Sequence, residues 1–146
     1  PLADKYTKWR NNLTENDIQG FKQLPKTGDI LIITKSMKDV MCLYEMGIPA
    51  ISPSSESTFI PDKALNQLKK RFKTILICFD RDEAGCKYLR KISLKTGLKP
   101  FLVHKKWKAK DISDAIKANS FESIKLWIYE EIEKEKRRQG TECNSK

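Results

Sequence analysis

The sequence predicts an α/β fold: a four-stranded parallel sheet flanked by helices, with one further helix at the carboxyl end. Three observations carry that reading. Short apolar runs at 30–34, 48–51, 75–79 and 100–103 alternate with stretches of helical periodicity, which implies βαβ units and right-handed crossovers. The run Ile75-Leu76-Ile77-Cys78-Phe79 carries no charge, as suits a strand buried on both faces. Polar residues collect directly after the strands, at Lys35, 52–58, Asp80/Asp82 and 104–111. Right-handed crossovers put all those carboxyl ends on one edge, where open α/β sheets place their ligands.

At 146 residues the chain is long enough for one domain with a real core. Its formal net charge of +10 favours a polyanionic partner. No run approaches the roughly 18 apolar residues of a membrane span, and no charged-then-apolar leader opens the chain. It starts at Pro1, as expected of a piece cut from a longer protein. Cys42, Cys78, Cys86 and Cys143 form no Cys-x-x-Cys pair, so no zinc ribbon is encoded. Cys42 and Cys78 lie in apolar segments and read as small buried hydrophobes, with free thiols in a reducing compartment.

The elements follow in order. Residues 1–28 read as a lead-in, with Trp9 and Phe21 as anchors and a short helix over 12–19 ending at Gly20. Pro25, Gly28 and Asp29 supply turn chemistry. Strand 30–34 is β-branched and short. Ser36 then caps a helix over 37–46, with Val40, Leu43, Tyr44 and Met41 on its apolar face and Gly47 as its stop. Asp39 sits in that helix's first turn, where the helix N-terminus stabilises a carboxylate. Pro49 places the weak strand 48–51 at a strand start or near an edge. A hydroxyl-rich loop over 53–58 contains Glu56. Pro61 opens the next helix, Leu65 and Leu68 face inward, and Lys69, Lys70, Arg71 and Lys73 lie near its end.

After strand 75–79, a helix over 83–94 turns Ala84, Leu89 and Ile92 inward, and Gly97 closes it. Gly85, in its first turn, lets the backbone approach a strand or a phosphate closely. Strand 100–103 leads into a basic loop, His104 to Lys110, with Trp107 inside it. Residues 111–118 form a helix. Asn119-Ser120 breaks it, and 121–138 is amphipathic, with Ile124, Trp127, Ile128 and Ile132 on one face. Residues 139–146 read as a disordered tail.

Asp80 and Asp82 hold the chemistry. Residues two apart on an extended chain point the same way, so both carboxylates can aim at one spot. Two hard oxygen donors on a rigid element suit Mg²⁺, which takes only one or two carboxylates and keeps its waters. The plainer alternative is that Asp caps the following helix.

The chain resembles a toprim domain, the fold shared by bacterial-type primases, topoisomerases and some nucleases. The resemblance covers 29–120 and rests on three blocks: Lys35-Ser36-Met37-Lys38-Asp39, Asp80-Arg81-Asp82-Glu83-Ala84-Gly85 and Lys110-Asp111-Ile112-Ser113-Asp114. The run is most similar to the toprim segments of phage-encoded primases. The resemblance implies a Rossmann-like toprim fold and metal-dependent nucleotidyl transfer for RNA primer synthesis in phage DNA replication. Asp80 and Asp82 would be the principal Mg²⁺ or Mn²⁺ ligands, with Asp39 and Asp111 as further metal groups. Lys105, Lys106, Lys108 and Lys110 would follow the nucleic-acid backbone. Trp107 would stack on a base or else pack over the sheet edge. Implied partners are a single-stranded DNA template, nucleotides and a replicative helicase, in the cytoplasm of a bacterial or infected host cell. The resemblance also implies a zinc module and an upstream basic subdomain, so this piece alone is expected to be inactive or weak.

One position departs from the pattern. Where the family carries Glu after the first strand, this chain has Lys35. Three readings stay open. Lys35 neutralises the carboxylates or contacts a phosphate as a point charge, Glu56 supplies the missing carboxylate, or the domain has lost catalysis and kept binding. The rivals to a primase fragment are therefore a toprim-like nucleic-acid-binding module and a toprim nuclease. A topoisomerase piece would need a nucleophilic Tyr, for which no tyrosine here has a context.

Overall fold

The structure, a computed structural model, describes residues 18–53 and 59–144, with side chains as far as Arg138. Four strands form the sheet: β1 (Gly28–Thr34), β2 (Ala50–Ile51), β3 (Phe72–Cys78) and β4 (Lys99–Pro100). Five helices accompany them: α1 (Met37–Glu45), α2 (Asp62–Arg71), α3 (Glu83–Thr96), α4 (Ile112–Ala118) and α5 (Phe121–Asn144). The strand order is β2-β1-β3-β4, and every pair is parallel. The predicted α/β architecture is therefore what the chain adopts.

Strand alternation splits the core into two layers. Ile30, Ile32, Leu76 and Cys78 face one side, under Val40 and Leu43 of α1, Ile112 of α4, and Ile124, Trp127, Ile128 and Ile132 of α5. Leu31, Ile33, Ile75 and Ile77 face the other, under Leu65 and Leu68 of α2 and Leu89 and Ile92 of α3. The α1 crossover runs from β1 outward to β2, whereas α2 returns past β1 to β3. The order thus reverses between β1 and β3, which makes their carboxyl ends the switch point where such sheets open a crevice. Their register pairs Thr34 with Cys78, so the chain leaves both strands at the same level.

Several boundaries and faces differ from the sequence reading. β3 begins at Phe72, so Lys73 lies in the strand and not on the preceding helix. β4 is only Lys99–Pro100 and ends before Val103, although Phe101 and Val103 are buried. Tyr44 and Met41 are exposed, and Met46 takes the buried place expected of them. Ala84 is exposed, while Gly85 beside it is buried. The segment expected to be a disordered tail is helical as far as Asn144. Trp9, most of the 12–19 helix and Glu56 lie outside the described residues. Cys78 is buried, Cys42 half-buried, and both thiols are free. Burial pushes both thiols above their usual range, away from reactive thiolate character.

Two contacts fix the periphery. Gln19 and Ser52 exchange backbone hydrogen bonds at 3.0 Å, an antiparallel bridge on the outer side of β2. Lys99 Nζ stands 2.9 Å from Glu135 Oε1 and ties α5 to the last strand.

Candidate functional site

The two central strands deliver the first groups. Fully buried Thr34 donates from Oγ1 to the Ser36 carbonyl at 3.0 Å, shaping the turn out of β1. Ser36 has extended backbone, and its Oγ accepts from Asp39 N at 3.4 Å, a long N-cap for α1. Between them Lys35 reaches across to β3, where Nζ lies 3.7 Å from Asp80 Oδ2. The Asp80 side chain is only 14% exposed against 37% for Lys35. The carboxylate is thus held in the crevice while the ammonium stands at its mouth.

Asp82 does the capping that the plainer reading expected: its Oδ1 accepts from Gly85 N at 2.7 Å and opens α3. The helix start is pressed hard against the strand end. A Cβ on Gly85 would stand 2.1 Å from the Asp80 carbonyl oxygen and 3.0 Å from Asp82 Oδ1. Gly85 has no left-handed φ; it is required by proximity alone. The backbone it approaches is the turn that follows β3.

The third group comes from the start of α4. Asp111 Oδ1 accepts from Asp114 N at 2.8 Å and from Ser113 Oγ at 3.0 Å. Ser113 N in turn donates to Asp39 Oδ1 at 3.0 Å. Ser113 therefore links two carboxylates that lie far apart in the chain. Asp39 is 1% exposed, so it stands behind the rim as a brace between α1 and α4, not on the open edge with Asp80 and Asp82.

The carboxylates feel one another. Burial raises the Asp39 pKa to about 6, against the hydrogen bonds from Ser113 and with help from the charges of Asp111 and Asp80. Asp80 is also raised, by burial first. Lys35 and Lys110 pull it down, and Asp111 and Asp82 push it up. The four acids predicted from separate segments thus meet in one electrostatic neighbourhood. Among the described residues no three Asp, Glu, His or Cys groups form a closed metal cage. An open rim suits Mg²⁺, which fills most of its shell with water and phosphate.

The basic loop is stapled to this turn by Arg81, which sequence reasoning passed over. Arg81 N donates to the Lys110 carbonyl at 2.7 Å, and its guanidinium donates to the Val103 carbonyl at 2.6 Å. The signal for it is alternation: the middle residue of Asp-x-Asp must point away from both carboxylates. Ser113 was missed likewise, as an ordinary helix-start polar residue. Lys105, Lys106, Lys108 and Lys110 are all exposed along the loop. His104 Nδ1 accepts from Lys106 N at 3.1 Å and caps the turn Lys105–Trp107. Trp107 packs over the sheet edge: its ring meets that of Trp127 edge-on with centroids 6.0 Å apart. Lys106 Nζ lies 4.9 Å from the Trp107 ring centroid.

Residues 32–116 match the family described as Toprim-like. The chain belongs to the Toprim-like family. The matched span contains all three acidic blocks and the basic loop. Among solved structures, it is similar to a chain in the structure of bacteriophage T7 lagging-strand DNA polymerase interacting with primase domains bound to an RNA/DNA hybrid and dTTP. That likeness has 20% identity and a TM-score of 0.56, and covers 80% of this chain and 62% of the other. It is also similar to the primase fragment of the bacteriophage T7 primase-helicase protein, at 18% identity and TM-score 0.51, covering 73% of this chain and 46% of that one. This chain thus spans less than two thirds of each. No curated protein matches it. The toprim fold expected from the three sequence blocks is the fold observed.

Proposed function

We propose that this chain is the toprim module of a phage-type DNA primase and supports metal-dependent nucleotidyl transfer during primer synthesis. One observation carries the reading most of the way. Asp80, Asp82 and Asp111 come from two loops at the carboxyl edge of the sheet, beside the switch point, with Lys35 and Lys110 among them. Asp82 and Asp111 each commit one oxygen, Oδ1, to a helix cap. Asp80 is held in the crevice by the approach of α3. Hard oxygens crowded together are donors whose repulsion a divalent cation relieves.

A bound Mg²⁺ or Mn²⁺ would lower the pKa of an attacking 3′-hydroxyl and neutralise charge on the phosphates. The chain's own residues supply the rest. Asp39 and Ser113 fix the height of α4 and so the position of Asp111. Arg81 holds the lysine loop against the carboxylate turn. Lys105, Lys106, Lys108 and Lys110 offer a cationic edge to a template backbone. Trp107 serves as the base of that loop. Glu56, which lies outside the described residues, is proposed as an additional carboxylate. No helix of the described residues is long and apolar enough to cross a membrane. We assign the protein to the cytoplasm of the replicating cell, with a replicative helicase as partner.

A second reading, a nucleic-acid-binding module without chemistry, is favoured by the Lys35–Asp80 pair and by the withdrawal of Asp39 into the interior. Template-directed dinucleotide synthesis, run beside plasmid nicking, separates the cases. The primase reading expects synthesis that falls at least about a hundredfold in Asp80→Asn, as when a group positioning the reacting atoms is lost. Nicking without synthesis supports a nuclease, and neither activity supports the binding module.

A further inference from the structure

We propose that Lys35 is a built-in counter-cation that limits this rim to a single divalent ion. The inference rests on the metal reading above and concerns how many ions the chain itself can hold. Asp80, Asp82 and Asp111 supply three negative charges, and Lys35 and Lys110 act on Asp80 from the same neighbourhood. Three carboxylates against two ammonium groups leave a formal charge of −1, and Asp39 behind them and the proposed Glu56 add at most two more. One dication brings the group to between −1 and +1. A second would leave it net positive, between +1 and +3, in a crevice where like charges repel over several ångströms.

Geometry points the same way. Lys35 Nζ is 3.7 Å from Asp80 Oδ2, so a cation already stands beside that carboxylate on the side of the β1 end. Asp39, which follows β1 and whose carboxyl feels the Asp80 charge, is 1% exposed and holds the Ser113 amide, so it cannot turn out to join a second ion without releasing α4. Lys35 thus does by charge at one side of the crevice what a metal does at the other.

Calorimetric titration of the full chain with Mn²⁺, without nucleotide, tests this. The expected stoichiometry is one ion per chain, lost in Asp80→Asn. Lys35→Gln should tighten that ion by about tenfold, the scale of one unit charge acting across a half-exposed rim. Lys35→Glu should admit a second equivalent. Lys35 is on the surface, so circular dichroism of both variants should match wild type. Two ions in the wild type, or no tightening in Lys35→Gln, would overturn the inference and leave the metal site standing. No Mn²⁺ bound by wild type, Lys35→Gln or Lys35→Glu would remove the metal site, and the inference with it.

Discussion

Replacing Gly85 with Ala probes the tightest contact in the site. The added Cβ would sit 2.1 Å from the Asp80 carbonyl oxygen, whereas ordinary contact begins near 3.4 Å. The obstacle is backbone, so no rotamer change relieves it, and the start of α3 must retreat by about 1 Å or more from the strand end. Two terms compete in stability. Ala gains about 1 kcal/mol over Gly in a helix, and overpacking costs about 1–3 kcal/mol. The net loss should be small, about 0–2 kcal/mol. Function has no such compensation. The retreat moves Asp82 and strains Asp80, and a misplacement of about 1 Å can cost roughly a hundredfold in rate. Urea unfolding of Gly85→Ala should therefore show a loss of no more than about 2 kcal/mol, while the primer synthesis proposed above drops by about two orders of magnitude. A variant with both stability and synthesis intact would refute the idea that this close approach sets the carboxylates.

Asp39→Asn tests the buried carboxyl. Its folded pKa of about 6 lies above its usual 3.8, so its contribution to stability is full below the lower value and is lost as pH rises through the upper one. Urea unfolding should show wild-type stability falling between those values. In the Asn variant that slope should flatten, with a gain at neutral pH of up to about 3 kcal/mol; an unchanged pH profile would place Asp39 in solvent. Arg81→Met should free the 103–110 loop at a cost of roughly 1–3 kcal/mol, and hydrogen exchange there should quicken; unaltered protection would mean the staple is idle. Trp107→Ala should cost about 2–3 kcal/mol because its ring packs on Trp127, and an unmoved denaturation midpoint would argue that the ring is free to stack on a base.

The sheet was legible in the sequence because its signals are local and redundant. Uncharged runs such as Ile75 to Phe79 have few other uses, and Gly47 and Gly97 close helices where the pattern placed them. The acidic residues were legible for the same reason, since each follows a strand that topology carries to one edge. What escaped depended on contacts distant in sequence. Asp39 reads as an ordinary first-turn acid until α4 is known to sit over it. Tyr44 belongs to the apolar stripe of α1 by spacing, yet the sheet face is already filled by Val40, Leu43 and Met46, which leaves the ring outside. Ala84 and Gly85 exchanged places because a residue with no side chain is the only one that fits beside the Asp80 carbonyl. Arg81 was hidden between two residues whose chemistry drew all the weight.

The bridge between Gln19 and Ser52 has a consequence for how the protein keeps to itself. Both outermost strands are only 2 residues long, so the sheet offers little free backbone for a foreign chain to pair with. On the β2 side even that remnant is closed by Gln19, whose side-chain oxygen also receives the Ser52 hydroxyl at 2.7 Å. A truncation that removed Gln19 would uncover that short edge, and self-association of such a shortened chain would be the first sign that this small clasp guards against it.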